Sequence, residues 1–368
     1  MRKRKKVVIV GAGPAGCACA CTLARLGIGE ITLIDKAVFP RRKPCAGGLG
    51  PGTENYLDAI GVRDRVLPQA NVVTALRAIT PSGKELHIGG VTKAHVLPRS
   101  KFDHLLFEYT KSLGIEVITG QKVVSFLGNE ECPEGVVTDK GTSIEAIWTV
   151  IATGSRSGLI AKGKKQNFSV LKSIIVEYEN LSIEPSTIEM YFDREIAPFY
   201  GWVFPEGGNT ANIGICFENN RTGQLKPLWA FKNFARRYLG DRISSANRLT
   251  SLEGSAIYTT FDPRDIARPG LLVIGEAGAL VNPATGEGIR QALFSGIEAG
   301  ESIALHLSGK ASAAQSAEKY EKRIKTGLVP ELIAGEFFKM VSSRIFDIAI
   351  LTKNMVHWTR RIRKFLPF

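Results

Sequence analysis

The chain opens with an apolar β-branched run, Val7-Val8-Ile9-Val10, that meets Gly11-Ala12-Gly13-Pro14-Ala15-Gly16 and then a stretch of small apolar residues. Such a pattern demands a buried strand, a tight turn and a helix packed closely on that strand. Gly11 permits the turn, Gly13 lets the backbone approach a pyrophosphate, and Gly16 lets helix and strand touch. The helix N-terminus then presents unpaired N–H groups to the phosphates. A second strand, Ile31-Thr32-Leu33-Ile34, ends at Asp35, about 20 residues on from the glycines, where a carboxylate catches a ribose hydroxyl pair. A glycine-rich turn alone is an ordinary turn. With strand, helix and acid in place it reads as a site for FAD or NAD(P).

At 368 residues the chain is too long for one simple core and suits two interleaved domains that share a cleft. Its six cysteines, Cys17, Cys19, Cys21, Cys45, Cys132 and Cys216, follow neither a disulfide framework nor the Cys-x-x-Cys spacing of zinc and iron–sulfur sites. A reducing cytoplasm fits that usage. Cys17 and Cys21 share a helix face and read as small buried residues. The histidines His87, His95, His104, His306 and His357 lack ligand spacing, so no metal site is expected.

The formal net charge is +13, of which Arg2 to Lys6 supply five cations and Lys353, Arg360, Arg361, Arg363 and Lys364 another five. Removing these ten leaves about +3 for the rest, so the basicity sits at the chain ends and not on a broad nucleic-acid face. The apolar run after the basic start is read as a strand, not as a signal peptide. No apolar stretch approaches the length of a membrane span. From Phe337 to Phe368, Phe346, Ile350, Met355, Trp358, Ile362, Phe365 and Leu366 accompany the basic cluster. That combination suits a helix lying on an anionic membrane surface, and equally a solvated basic helix packed on the body.

Along the chain, residues 37 to 61 carry prolines and glycines that exclude regular structure and let the backbone wrap around a ligand. Short strands are expected from Asn71 to Leu97, a helix from Arg99 to Leu113, a strand at Ile115 to Ile118 and two hairpin strands beyond. The buried run Ile147 to Ile151 delivers the turn Ala152-Thr153-Gly154-Ser155-Arg156 to the sheet edge where ligands sit in open α/β folds. Residues 168 to 217 alternate like an antiparallel sheet covering a cleft, and a helix follows from Gln224 to Leu239. Nucleotide-type structure returns at Leu271 to Ile274, Gly275-Glu276-Ala277-Gly278 and Pro283 to Ile289, which start a helix reaching about Leu307.

Four separated signatures resemble the FAD-dependent oxidoreductases built like para-hydroxybenzoate hydroxylase, and within them the geranylgeranyl reductase family. They are Gly11 to Gly16 with Asp35, Lys43-Pro44-Cys45-Ala46-Gly47-Gly48-Leu49, Tyr200-Gly201-Trp202-Val203-Phe204-Pro205, and Gly275 to Gly278 with Pro283 to Ile289. The resemblance covers roughly residues 5 to 310. It implies an α/β fold with a Rossmann-like FAD-binding domain (1–70, 93–160, 255–310) interleaved with an antiparallel β-sheet substrate domain (71–92, 161–254), and a C-terminal helical region (311–368). The chain departs from the family pattern at Glu276, where Asp is usual, and at Ala46, where Gly is common.

The resemblance places Gly11, Gly13, Ala15 and Gly16 at the pyrophosphate and Asp35, with Lys36, at the adenosine ribose. It adds Arg99 and Glu276 at the pyrophosphate and ribityl region, with Gly154 nearby. Cys45, Ala46 and Gly47 meet the flavin from one side, and Gly286, Gly288 and Ile289 from a helix N-terminus that stabilises negative charge on the reduced ring. Glu287, in that first turn, reads as a dipole-compensating residue. Tyr200, Trp202 and Phe204 alternate along a strand, so they form either an aromatic substrate wall or a sheet core. The implied catalytic residues are Cys45, Tyr200 and Trp202.

The implied activity is saturation of isolated double bonds in an isoprenoid chain, such as geranylgeranyl diphosphate or a geranylgeranylated lipid, by hydride from reduced flavin. NADPH or an acidic reduced ferredoxin or flavodoxin would supply electrons, since no second fingerprint is present. The expected setting is cytoplasmic, with peripheral membrane contact through the basic C-terminal segment and no nucleic acid. Tyr200 to Pro205 is also similar to the Trp-x-Trp-x-Ile-Pro strand of flavin halogenases, which keeps a monooxygenase or halogenase as one alternative and an electron-transfer flavoprotein as another.

Overall fold

The computed structural model of the protein describes residues 5–155, 158–159, 169–218, 226–260 and 262–349. The fingerprint strand Lys5–Val10 lies inside an eight-stranded sheet, parallel to Ile31–Ile34 on one side and to Ser143–Ile151 on the other. Leu271–Val273 and Glu116–Ile118 extend the sheet outward in the same direction. Val7, Val8, Ile9, Leu33, Trp148 and Val150 are fully buried, as expected of parallel strands covered on both faces. Side chains of this size contribute about 1.5–3 kcal/mol each when fully buried. The hairpin Val123–Asn129 and Cys132–Thr138 continues antiparallel from Ser143–Ile151.

Two helices, Pro14–Arg25 and Ile289–Leu307, cross on one face of this sheet at very short range. A Cβ added at Gly296 would lie 2.3 Å from the Ala15 carbonyl oxygen, and one at Gly300 would lie 2.8 Å from Thr22. Small residues on both helices therefore set their separation. Cys17, Cys19 and Cys21 belong to this packing; burial pushes the Cys21 thiol up to about 11, and its Sγ meets Thr110 Oγ1 at 3.3 Å. These thiols are packing residues, as their spacing suggested.

The second sheet has nine strands, with Tyr200–Gly207 held between Thr187–Phe192 and Thr210–Glu218. It is not purely antiparallel: Thr187–Phe192 pairs in parallel with Asn71–Ile79, because the chain returns to that edge after passing through the first sheet. Residues 255–259, expected with the nucleotide segments, lie in this sheet through the pairing of Glu253–Thr259 with Ser169–Glu179. Gly48–Leu49 likewise joins it by pairing with the end of Glu85–Val96. On one face Val203, Ile213 and Phe217 pack with Phe231 and Phe234; on the other lie Trp202, Phe204, Ile175, Ile188 and Cys216. Gly201 has no room for a side chain, since a Cβ there would lie 2.3 Å from the Phe234 ring.

The helix expected from Gln224 is described from Pro227 to Phe234 and continues as a wider π turn through Leu239. Helices Ala313–Gly327, opened by a Ser312–Gln315 capping box, and Val329–Ala349 complete the described chain. The remaining C-terminal apolar and basic residues, from Ile350 onward, lie outside the described residues, as do Arg2 to Arg4 and Arg156. Among the described residues no helix is long and apolar enough to cross a membrane.

Candidate active site

Because the central strands of the first sheet run parallel, Val10, Ile34, Ile151 and Val273 all end at one edge, and the turns after them enclose a groove of about 430 Å³. Gly11 adopts φ +109°, and a Cβ there would lie 2.3 Å from the Ala152 carbonyl oxygen, so only glycine fits. A Cβ on Gly13 would meet nothing closer than Arg41 Nη2 at 3.5 Å, which leaves its backbone open to the groove. Gly13 caps the helix Pro14–Arg25 without a side-chain hydrogen bond, so the first N–H groups of that helix have no internal acceptor. The Asp35 carboxylate is held rigidly by the Ala12 N–H at 2.7 Å and the Ala37 N–H at 2.8 Å.

Cations gather on the same groove. Asp103, fully buried, accepts both guanidinium arms of Arg99 at 2.8 and 2.9 Å and a further contact from Arg41 at 2.8 Å. Two arginines on one carboxylate leave a net positive charge beside the groove, suited to a phosphate. Burial opposes the Arg99 charge, but Asp103 and Cys45 outweigh it and push its pKa upward. Arg99 is thus a buried, pre-oriented residue and not a solvated helix start. Lys43 donates to Glu276 at 3.2 Å, and both line the groove.

A smaller cavity of about 140 Å³ adjoins the groove and shares Pro44, Cys45, Ile257, Gly286, Gly288 and Ile289 with it. Tyr200, Trp202 and Phe204 form its sheet wall, with edge-on ring contacts at 6.1 and 6.3 Å. The aromatic strand is therefore both sheet core and cavity wall. The Tyr200 hydroxyl donates to the Thr285 carbonyl at 2.5 Å, which ties the sheet to the loop before Ile289–Leu307. Trp202 Nε1 donates to Asn212 Oδ1 at 2.9 Å, and Asn212 Nδ2 donates to the Cys45 carbonyl at 3.2 Å.

Of the residues expected at a cofactor, Gly11, Gly13, Ala15, Asp35, Lys36, Cys45, Arg99, Gly154, Glu276, Gly286, Gly288 and Ile289 line the groove. Cys45 also lines the small cavity with Ala46, Tyr200 and Trp202. Gly16 and Gly47 line neither space. Gly16 packs on Gly11, and Gly47 adopts φ +72° where a Cβ would lie 2.5 Å from the Leu97 carbonyl oxygen. Sequence reasoning missed Arg41, Lys43, Asp103 and Asn212. The run Arg41-Arg42-Lys43 beside a glycine-rich loop was the available signal for the first two.

The family model for an FAD binding domain matches residues 4–326. The chain belongs to that FAD-binding family. The protein is an FAD-dependent oxidoreductase, and its groove fits the cofactor on its own terms: Arg41 Nε and Thr153 Oγ1 are buried without a hydrogen-bond partner among the described residues, and both residues line it. A second helix N-terminus, at Gly288, is also uncapped by any side chain and sits where groove and cavity meet.

Digeranylgeranylglycerophospholipid reductase 1 of Methanococcoides burtonii is 26% identical, over 96% of this chain and 89% of that protein. Menaquinone reductase of Mycolicibacterium smegmatis is 27% identical, over 82% of this chain and 76% of its own. Among solved structures, a geranylgeranyl bacteriochlorophyll reductase-like protein of Thermoplasma acidophilum superposes with a TM-score of 0.80 at 22% identity, covering 99% of this chain and all of that one. A flavin-dependent brominase superposes with a TM-score of 0.76 at 20% identity, covering 95% and 91%. These two likenesses concern the fold.

Proposed function

We propose that this FAD-dependent oxidoreductase saturates carbon–carbon double bonds of an isoprenoid chain carried on a lipid or diphosphate. The observation that carries the reading is the apolar aromatic cavity sharing the Gly286–Ile289 edge with the FAD groove. The reductase names of the methanogen and mycobacterial relatives support it. At about 140 Å³ the cavity is well below the roughly 300 Å³ at which pockets for whole ligands begin. It admits one segment of a chain, with the rest of the substrate lying outside.

When bound and reduced, FAD supplies a hydride. Asp35 holds the ribose, the uncapped helix at Gly13 with Arg41 and Arg99 holds the phosphates, and the helix N-terminus at Gly288 stabilises negative charge beside the cavity. Trp202 and Phe204 exclude water from the reacting segment, and Tyr200 fixes the loop opposite. The division into FAD-binding segments 1–70, 93–160 and 255–310, a substrate sheet and a C-terminal region belongs to this reading, with the strand exchanges noted above. So do electron delivery by NADPH or an acidic ferredoxin or flavodoxin, a cytoplasmic setting, and peripheral membrane contact through the basic C-terminus.

Ala94 lines the cavity and is 7% exposed, so Ala94→Phe fills the space at an overpacking cost of about 1–3 kcal/mol. The variant is expected to bind FAD normally while alkene-driven reoxidation of the dithionite-reduced enzyme falls at least tenfold. Wild-type reoxidation in Ala94→Phe would place the reaction elsewhere.

A further inference from the structure

We infer that Glu287 is the proton-holding group of the reduction cavity, delivering its proton to the alkene carbon that does not receive hydride. The inference rests on the isoprenoid-reductase reading. Glu287 lines the cavity between Gly286 and Gly288, the two glycines shared with the FAD groove. Its side chain is 11% exposed, and both carboxyl oxygens are buried without a hydrogen-bond partner among the described residues.

The ion pair of Glu287 with Arg290 is long, and Arg290 is shared with Glu331. Arg290, one turn along the same helix, stands 3.7 Å from Oε1, beyond hydrogen-bond range. Its guanidinium is instead bound to Glu331 of the helix Val329–Ala349 at 2.5 Å, and Glu331 also receives Gln291 and Asn282. Tyr200 faces Glu287 from the sheet, and Tyr56 faces Arg290 from the helix Thr53–Ala59. A bare carboxylate in such a place costs far more than a neutral acid. Burial pushes the Glu287 carboxyl up to about 7, with Arg290 opposing and Glu331 reinforcing the shift. It therefore gains and loses a proton near neutrality, as an acid catalyst must.

The other candidates on the cavity are worse placed. The Tyr200 hydrogen is committed to the Thr285 carbonyl, and burial pushes that phenol upward. Burial lowers the His95 pKa, so its ring is neutral at pH 7. Cys45 Sγ accepts the Gly47 N–H at 3.5 Å.

In the step, bound reduced FAD would supply the electron pair as hydride to one carbon and would be left oxidised. The Glu287 O–H bond breaks as a C–H bond forms at the other carbon. The resulting carboxylate, steadied by Arg290, is reprotonated from solvent.

The test uses FAD-loaded full-length protein, reduced anaerobically with dithionite and mixed with a geranylgeranylated glycerophospholipid in detergent. Glu287→Gln is expected to slow alkene-driven flavin reoxidation at least ~100-fold with FAD affinity within about twofold of wild type, and Glu287→Asp to recover part of the rate. A second readout needs no cofactor. The raised folded pKa makes the Glu287 contribution to stability full below about 4.5 and lost as pH rises through about 7. The Tm of apo Glu287→Gln should therefore match wild type at pH 4 and exceed it at pH 8. A wild-type rate in Glu287→Gln, or a Tm difference that ignores pH, overturns the inference. A wild-type enzyme that leaves flavin reduced overturns the reductase reading and the proton's destination with it, while the Tm series reports separately on the carboxyl.

Discussion

Burial, reinforced by Glu177, pushes the Glu206 carboxyl up to about 8, and one of its oxygens has no partner among the described residues. A pKa raised in the folded state means that folding favours the protonated form, so this stabilisation is complete below about 4.5 and disappears as pH climbs through about 8. Glu206→Gln should leave Tm unchanged at pH 4.5 and raise it by a few degrees at pH 9. A Tm series showing no pH-dependent gain would mean that the carboxylate is accommodated. Glu206 also interacts with Asn212, whose amide joins Trp202 to the Cys45 loop. None of this was legible in the sequence, because Asn212 reaches partners 10 and 167 residues away and a polar residue in a strand carries no mark of that. The places of Gly11 and Asp35 on the groove, by contrast, were legible because they follow from the turn and strand that contain them. Glu287 was read as compensating the helix dipole; only the packed structure reveals that neither carboxyl oxygen has a hydrogen-bond partner among the described residues and that Arg290 stands 3.7 Å away.

The contact between Pro14–Arg25 and Ile289–Leu307 sets where two uncapped helix N-termini point, one at Gly13 and one at Gly288. A larger residue at Gly296 must displace the Ala15 backbone, since its Cβ would already lie 2.3 Å from that carbonyl oxygen. Gly296→Val should therefore cost on the order of 3 kcal/mol and weaken FAD binding at least tenfold, measured by urea unfolding and flavin fluorescence titration. Unaltered FAD affinity in a folded variant would show that the crossing does not position the cofactor. Both helices were visible in the sequence from their glycine-rich starts and apolar period. Their pairing was not, because it joins segments almost 280 residues apart through positions whose only signature is small size. The parallel insertion of Thr187–Phe192 beside Asn71–Ile79 was hidden for the same reason: alternation reports a buried face, not the direction of the neighbouring strand.

Across the whole molecule, the parallel sheet delivers a glycine-lined, cationic groove while the second sheet lays an apolar wall against one end of it. The loop Pro40–Cys45 joins them: Arg41 reaches Asp103 on the nucleotide side, and Arg42 reaches Glu177 and Glu253 in the second sheet. The interleaved order of segments was readable because strand-turn-helix chemistry returned after each β-rich stretch. The size of the cavity was not, since volume is the remainder left after packing. On the proposed function, FAD lies in the groove beside a cavity for one isoprene-sized segment, and electrons from the flavin end on carbon. The decisive measurement is anaerobic, with the dithionite-reduced holoenzyme mixed with a geranylgeranylated lipid, flavin reoxidation followed by absorbance and the product weighed by mass spectrometry. The account predicts two added hydrogens on the lipid for each flavin reoxidised. A flavin that stays reduced until oxygen is admitted, followed by an oxygenated or halogenated product, would contradict it.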